Sequence, residues 1–482
     1  MPRFDATRRA GLSRPAALGI AGAGRGMRVL YFAGKECWPA NTGAKLRNYY
    51  LARELSHTER LTYLGFSDHY DGDRMDGVGA AQFLPAIHAD YPRSPDGFVE
   101  QAITVHRDPT YKFANMVKGA VGRTPLTVLN YTTRRMEERL RVLLDENSFD
   151  IIQVEGLHLT GYLPIMQSAP NRPLLICDWH NVESELMLRY SEFAEGRARR
   201  SYARSTARKL QALERASMNR FDAHIVVSER DRARLLQMAP DARVLVIENG
   251  VDVEYYSPES IDRAYKAWAA ERSALANWEQ RSVTMGRNRI LFVGSMDYHA
   301  NIDAAVYFAR EIWPSLLREG PELIFTIVGR SPSPEVRALA ALDGVEVTGT
   351  VDDVRPYYRE AAAAVVPLRV GGGSRLKILE AMAAGVPVVS TRLGAEGLDV
   401  RHGETIVLAD APAHFGATVL DLCENTKQWY AISSNGRRLV SERYAWQHLG
   451  RSLAVFHRDL AERATPNREV GIGGAQASPV TV

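Results

Sequence analysis

From Met27 onward, short apolar runs rich in valine, isoleucine and leucine alternate with longer stretches whose apolar positions recur every three or four residues. The short runs read as strands and the longer stretches as helices, so their alternation predicts parallel sheets covered by helices. In the first half the strand candidates are MRVLYFAG, RLTYLGF, FDIIQVEG, PLLICDWHN, DAHIVVSE and ARVLVIENG. In the second half they are RILFVGSM, LIFTIVG, VEVTGTV, AAAVVPL, VPVVST and TIVLAD. The polar, charge-rich segment Tyr255–Asn288 lies between the two sets, carries few strand signals and marks a domain boundary. The expected partition begins with a disordered basic extension over 1–26, a doubly wound domain over 27–255 and a linker or helical insertion over 256–288. A second doubly wound domain follows over 289–440, then a helix over 441–463 that packs back on the first domain, and a disordered tail over 464–482. Paired α/β domains take ligands beyond the carboxyl ends of their strands, which puts the expected site in the cleft between them.

One helix in the second half starts with the wrong charge. In GGGSRLKILEAMAAGVPVVST, Gly371 to Thr391, the segment Arg369 to Gly373 reads as a turn, Ser374 as an N-cap, Arg375 to Ala384 as a helix and Gly385 as its stop. Leu376, Leu379, Met382 and Ala383 form its apolar stripe, while Gly373, Lys377, Glu380 and Ala384 share another face. A helix start is electropositive, so Arg375 and Lys377 are repelled there unless an anion is bound. Glycines let backbone N–H groups approach a ligand, and the helix terminus favours negative charge. A diphosphate neutralised by Arg375 and Lys377, with Glu380 accepting from ribose hydroxyls, fits these residues. The competing reading is a tight glycine turn beside a solvated Lys377–Glu380 pair.

Composition narrows the classes. Over 482 residues, 45% hydrophobic and 24% charged content is that of a globular chain long enough for two cores. A formal net charge of +3 is too mild for a nucleic-acid binder. Cys37, Cys177 and Cys423 are far apart and form no metal or disulfide pattern, which fits a reducing cytoplasm. No apolar run is long enough to span a membrane.

The opening motif does not stand alone. In chain order, NTGAKLRNYYLARELS (Asn41–Ser56), VIENGVDVEYYSP (Val246–Pro258), TGTVDDVRPYYREAAAAVVPL (Thr348–Leu368) and GGGSRLKILEAMAAGVPVVSTRLGAEGL resemble the retaining glycosyltransferases of the GT-B fold, family four. The resemblance covers Met27 to about Arg463. It implies an α/β architecture of two Rossmann-like domains facing each other across a deep cleft, with an acceptor domain over 27–255 and a nucleotide-sugar domain over 289–440. It also implies a UDP- or GDP-linked sugar as substrate, with no cofactor and no metal. The sugar would pass, with retention, to a hydroxyl of a saccharide, a lipid-linked saccharide or a small glycoside in polysaccharide or glycoconjugate synthesis.

On the donor side the resemblance points to Gly43 in the first glycine loop, Gly294 after RILFV, and Gly349, Thr350 and Val351 around the base. It adds Gly372, Gly373, Ser374, Arg375, Lys377, Leu379 and Glu380 from the signature, and Glu396 at the pocket entrance. Glu380 matches the second glutamate of the family's E-x7-E, which binds ribose; the first position is Gly372, a departure. A second departure is SMDYHANIDA, which lacks the arginine and lysine the family often places after RILFVG, so Arg375 and Lys377 are expected to take over the leaving charge.

Beyond the strand FDIIQVE, His158 aligns with one version of the family's histidine motif and Glu155 with the histidine of another. The expectation is that His158 contacts donor sugar or phosphate and Glu155 is the general base, with Arg375 and Lys377 stabilising the departing phosphate. His180 in DWHNVESE is a further candidate, its alternative being a polar cap on a loop. No HxxxD or HExxH arrangement supports a metal. The acid-free run Gly196–Lys209 is either a solvated helix face or a peripheral contact with anionic membrane on the cytoplasmic side. Asp68–Asn130 lacks strand periodicity and is where acceptor specificity is expected. The other functions weighed are a GT-B-shaped sugar-nucleotide epimerase and a non-catalytic nucleotide-sugar-binding subunit.

Overall fold

The computed structural model describes residues 26–38, 40, 42–67, 98–107, 113–193, 196–273, 288–370 and 375–472. The expected extension over 1–26, except Gly26, lies outside these residues, as do Gly372, Gly373, Ser374 and the tail from 473.

In the first half the strands are β1 Arg28–Ala33, β2 Arg60–Ser67, β3 Gln101–His106, β4 Ile151–Glu155, β5 Leu174–Trp179, β6 Ala223–Val226 and β7 Val244–Val246. They form one parallel sheet in the order β3-β2-β1-β4-β5-β6-β7. In the second half β8 Arg289–Val293, β9 Ile324–Val328, β10 Val345–Gly349, β11 Ala361–Val366, β12 Val388–Ser390 and β13 Val407–Leu408 form a parallel sheet in the order β10-β9-β8-β11-β12-β13. Strand order reverses at β1/β4 and at β8/β11, and such reversals open the crevice where doubly wound sheets hold ligands.

β3 departs from the sequence expectation, since it lies inside Asp68–Asn130. It is an edge strand in which only Ile103 is buried, so no continuous apolar run announces it. In the inner strands side chains alternate between two cores. Leu30, Phe32, Ile152 and Val154 pack into one, while Val29, Tyr31, Ala33 and Ile151 pack into the other.

The second core is closed by the helix Trp446–Ile472, which follows the second sheet in sequence but lies on the first. Trp446 stacks on Tyr50 at 5.5 Å between ring centroids, and Leu449, Leu453 and Leu460 join the same core. This helix continues through Ala464, where the aperiodic composition predicts loss of order, to Ile472. Val251, Tyr256 and Ile261, before and within the expected linker, already belong to the core of the second sheet.

The basic run forms the helix Arg197–Ser217, anchored by Ala203, Ala207, Leu210 and Glu214, with Arg197, Arg199, Arg204 and Arg208 exposed. Among the described residues no helix is long and apolar enough to cross a membrane. All three cysteines are free thiols.

Candidate active site

β8, β9 and β10 each run out into a glycine, and the three meet. A Cβ on Gly329 would lie 1.7 Å from the Gly294 carbonyl oxygen, so only glycine allows this approach. Gly349 holds φ at +72°, in the left-handed region, and its carbonyl accepts from Gly329 N at 3.2 Å. Against this floor a cavity of about 390 Å³ is bordered by Gly294, Thr350, Val351, Lys377 and Glu380 from the second domain and by Thr42 and Gly43 from the first. Gly43 starts the helix Gly43–Leu55, whose N-cap Thr42 accepts from Lys45 N.

The helix expected from Arg375 begins at Leu376, and Arg375 stands at the cap position without a capping side chain. Its carbonyl accepts from Ile378 N at 2.9 Å. The two cations part company here. Lys377 faces the cavity, its Nζ donating to Asn301 Oδ1 at 2.5 Å and lying 5.0 Å from the Phe292 ring centre. Arg375 borders the cavity but directs its guanidinium to Glu396, with Nε donating to the backbone carbonyl at 3.2 Å and the carboxylate 3.5 Å away.

Burial pulls the Lys377 ammonium down to about 8, against the charge of Glu380. Burial pushes the Glu380 carboxyl up to about 7, opposed by Lys377 and by a hydrogen bond from Tyr256. An anion accepted by charged Lys377 and a ribose held by ionised Glu380 both require the pair to be charged. Nucleoside diphosphate affinity is therefore expected to peak between about pH 7 and 8. On the acid side Glu380 takes up a proton, and on the alkaline side Lys377 gives one up; each limb approaches about tenfold per unit. Titration calorimetry with UDP across this range checks it, and a flat profile from pH 6 to 9 would remove the pair from the binding step.

Two expected donor residues lie elsewhere. Leu379 is buried in the helix–sheet core and borders a second cavity of about 220 Å³ between the domains. Glu396 borders the same cavity, and its carboxylate reaches across to Arg230 at 2.8 Å and Arg189 at 3.7 Å. Sequence reasoning missed Arg330, Tyr298 and Asn301, which border the same cavity as Lys377 and Glu380. Arg330 follows Gly329 at a strand end and donates to Ser295 Oγ at 2.8 Å, so the strand-glycine-arginine run in LIFTIVGR was a usable signal.

On the first domain, parallel register sets Ala33, Glu155 and Asp178 side by side at the strand ends. Glu155 was expected to face the cleft, yet it is 1% exposed: it is the last residue of β4, and its carboxylate lies inside the sheet face. Gln153 Nε2 donates to it at 2.8 Å, and His180 Nε2 meets its other oxygen at 2.9 Å. His180, one residue past β5, keeps part of its side chain exposed and is the outward member of the pair. Burial opposes charge on its ring, but the Glu155 hydrogen bond and the charges of Asp178 and Glu155 outweigh it and raise the pKa.

Arg47 binds Asp178 Oδ2 through two nitrogens, at 3.1 and 2.8 Å, and donates to the Ile247 and Glu248 carbonyls. Even so, burial lifts the Asp178 carboxyl to about 6, helped by the nearby charge of Glu155. Glu155, Asp178 and His180 bring ligand-type atoms within 4.8 Å of one another. Their charge is already balanced by Arg47 and by the direct Glu155–His180 bond, so we read them as an acid–base group. His158 sits against Gly34, Gly156 and the Tyr131 ring, 4.4 Å between centroids. Burial holds its ring neutral, with a pKa down at about 3, so it offers a hydrogen bond but no charge.

Residues 287–425 match the family described as glycosyl transferases group 1, and residues 98–255 match glycosyltransferase family 4. A D-inositol 3-phosphate glycosyltransferase of Thermobispora bispora is 27% identical over 273 residues, 53% of this chain and 59% of the relative. A lipopolysaccharide core biosynthesis mannosyltransferase of Rhizobium meliloti is 26% identical over 301 residues, 58% of this chain and 79% of the relative. A protein of the Klebsiella pneumoniae cps region is 26% identical over 163 residues, and the chain spans 42% of it; the match thus covers about half the length of this relative and of the Thermobispora one. Among solved structures, sucrose-phosphate synthase from Thermosynechococcus elongatus superposes with a TM-score of 0.60 at 17% identity, over 90% of this chain and 99% of that one. Anabaena HepE, crystallised with UDP and glucose, gives 0.54 at 17%, over 89% and 99%. With two parallel sheets facing a shared cleft and both halves matched, the chain belongs to the group 1 glycosyltransferases of family 4 and has the GT-B fold.

Proposed function

We propose that this chain transfers a hexose-type sugar from a UDP- or GDP-linked donor to a hydroxyl of a saccharide, lipid-linked saccharide or small glycoside, with retention of configuration and without a cofactor or metal. The observation that carries the reading is Lys377 and Glu380 side by side in a cavity floored by the strand-end glycines Gly294 and Gly329 and faced by Gly43. A diphosphate on Lys377 leaves with its developing charge met by a preorganised cation, the largest kind of contribution to such a step. Glu380 takes the ribose, and the base lies near Gly349, Thr350 and Val351. The acceptor enters from the first domain, where His180 presents its free nitrogen to the reacting sugar while Glu155 orients it. In same-face transfer the leaving phosphate oxygen shares the acceptor proton, so no protein nucleophile is required.

Support from relatives is of two kinds: named glycosyl- and mannosyltransferases align with this chain, and a structural neighbour was crystallised with UDP and glucose. The exposed arginines of Arg197–Ser217 support peripheral contact with an anionic membrane, where a lipid-linked acceptor would be met.

Glu380→Ala is expected to weaken nucleoside diphosphate binding by about 1–3 kcal/mol, the range for losing a charged hydrogen-bond partner. Titration calorimetry with UDP and GDP measures it, and an unchanged dissociation constant would take the ribose away from Glu380. Release of free nucleoside diphosphate from donor and acceptor together separates an enzyme from a subunit that only binds.

A further inference from the structure

β4 carries polar side chains where an inner strand of a parallel sheet calls for apolar ones. Gln153 and Glu155 alternate with Ile152 and Val154, so both point to the sheet face that the helix Trp446–Ile472 covers. From that helix His457 reaches the same face: its Nε2 lies 3.0 Å from Gln153 Oε1 and its Nδ1 3.0 Å from Glu59 Oε2. Gln153 Nε2 in turn donates to Glu155 Oε1, and Glu155 Oε2 meets His180 Nε2. Glu59, His457, Gln153, Glu155 and His180 therefore form one unbroken line from beneath the C-terminal helix to the cleft. Its first four members are buried, with His457 and Gln153 at 0% exposure.

Donor and acceptor chemistry gives this line a direction. An ionised carboxylate only accepts. Glu155 thus takes one hydrogen from the Gln153 amide and one from His180 Nε2, which leaves His180 Nδ1 as the nitrogen without a fixed proton. With its NH2 committed to Glu155, Gln153 presents its oxygen to His457, whose Nε2 must carry hydrogen. The His457 ring is itself pinned by Glu59 on the other nitrogen. If the Gln153 amide turned over, its oxygen would face the Glu155 carboxylate, two acceptors meeting in a buried place.

We infer that His457 is a positioning residue for the cleft: through Gln153 and Glu155 it holds the His180 ring in the Nε2–H form. Asp178, Arg47 and Glu183 also act on or near that ring through their charges and the neutral His158 ring lies near it, while Glu155 holds its Nε2 directly. The device ties the site to the crossing between domains. The helix leaves the second core at Tyr444, pairs with Val251 N through the Tyr444 carbonyl, and docks on the first domain at Trp446 and Tyr50. Only a docked helix brings His457 onto Gln153. The catalytic consequence, though not the positioning itself, rests on the role proposed above for His180.

The test uses full-length, 15N-labelled protein and long-range proton–nitrogen spectra, with the His180 ring identified by its disappearance in His180→Gln. The parent is expected to show a single Nε2–H form. His457→Leu and Gln153→Leu are expected to give a mixture of tautomers and a kcat lower by about 10- to 100-fold, part of what a positioned acid–base group supplies. UDP affinity should stay within about twofold of the parent, because the donor cavity is formed elsewhere. His457→Gln, whose amide can donate in place of Nε2–H, is expected to restore the single form. Gln153→Leu keeps the helix contacts of His457 and decides the matter if His457→Leu fails to fold. A His180 ring that stays in the Nε2–H form in both leucine variants would overturn the inference. A shifted tautomer with unchanged kcat would uphold the positioning and instead remove His180 from the reaction.

Discussion

His180→Ala is expected to lower kcat by about 10²–10⁴-fold and to leave the dissociation constant of the nucleoside diphosphate nearly unchanged, the signature of a group that acts in the transition state. The geometry separates the two effects. Lys377 and Glu380, proposed to hold the nucleotide, belong to the second domain, whereas His180 stands at the end of β5 in the first. Its carboxylate partner, Glu155, is buried behind it and cannot reach substrate in its place. Steady-state rates with a saturating donor, together with calorimetric binding, measure both quantities. A fall of less than about tenfold would leave the acceptor proton to the departing phosphate alone.

Arg47→Met is expected to cost about 3–5 kcal/mol of folding stability, because it removes one partner of a buried ion pair and strands the other. Arg47 is 1% exposed and Asp178 0%, and the arginine also satisfies the carbonyls of Ile247 and Glu248. Without it Asp178 faces Glu155 with only the His180 ring to offset its charge. The Asp178 carboxyl already sits at about 6, above its ordinary value, and loss of Arg47 moves it higher. A group whose folded pKa lies above its unfolded one loses stability as the pH rises through that value, so the damage in Arg47→Met is smallest in acid and grows through pH 6 and beyond. Urea unfolding at pH 5 and pH 8 measures this, and the double variant Arg47→Met, Asp178→Asn should recover part of the loss. If Arg47→Met loses less than about 1 kcal/mol, the pair is not the buried clamp described here.

Much of the scaffold was legible in the sequence. Twelve strand runs read from apolar patterning are strands, and of the glycines that end RILFVG, LIFTIVG and VEVTG, Gly329 sits where its backbone crowds the Gly294 carbonyl. Lys377 and Glu380 share a cavity because residues three apart on a helix share a face. Other elements gave weaker signals. β3 has one buried residue and no apolar run, and Glu396, expected at the pocket entrance, meets Arg189 and Arg230 of the other domain, partners no local pattern announced. Arg375, at the cap position, and Lys377, in the first turn of the helix, face different directions and so part to Glu396 and to the cavity beside Glu380. Glu155 is instructive. It was expected just beyond the strand's end, facing the cleft as the general base; it is instead the last residue of β4, which pairs on both sides, and its side chain is buried.

By itself the sequence determined the local structure and the reach of each motif: alternating strands and helices, two doubly wound halves, a glycine-edged helix start with a cation and a carboxylate on one face. These follow from periodicity and backbone freedom, which act over a few residues. Tertiary structure alone decided which polar groups are buried together. Arg47 meets Asp178, and His457 meets Gln153, across separations in the chain that no local pattern encodes. A buried charge is tolerated only where the whole fold supplies its partner, so the choice between Glu155 and His180 as the outward group had to wait for the packed sheet.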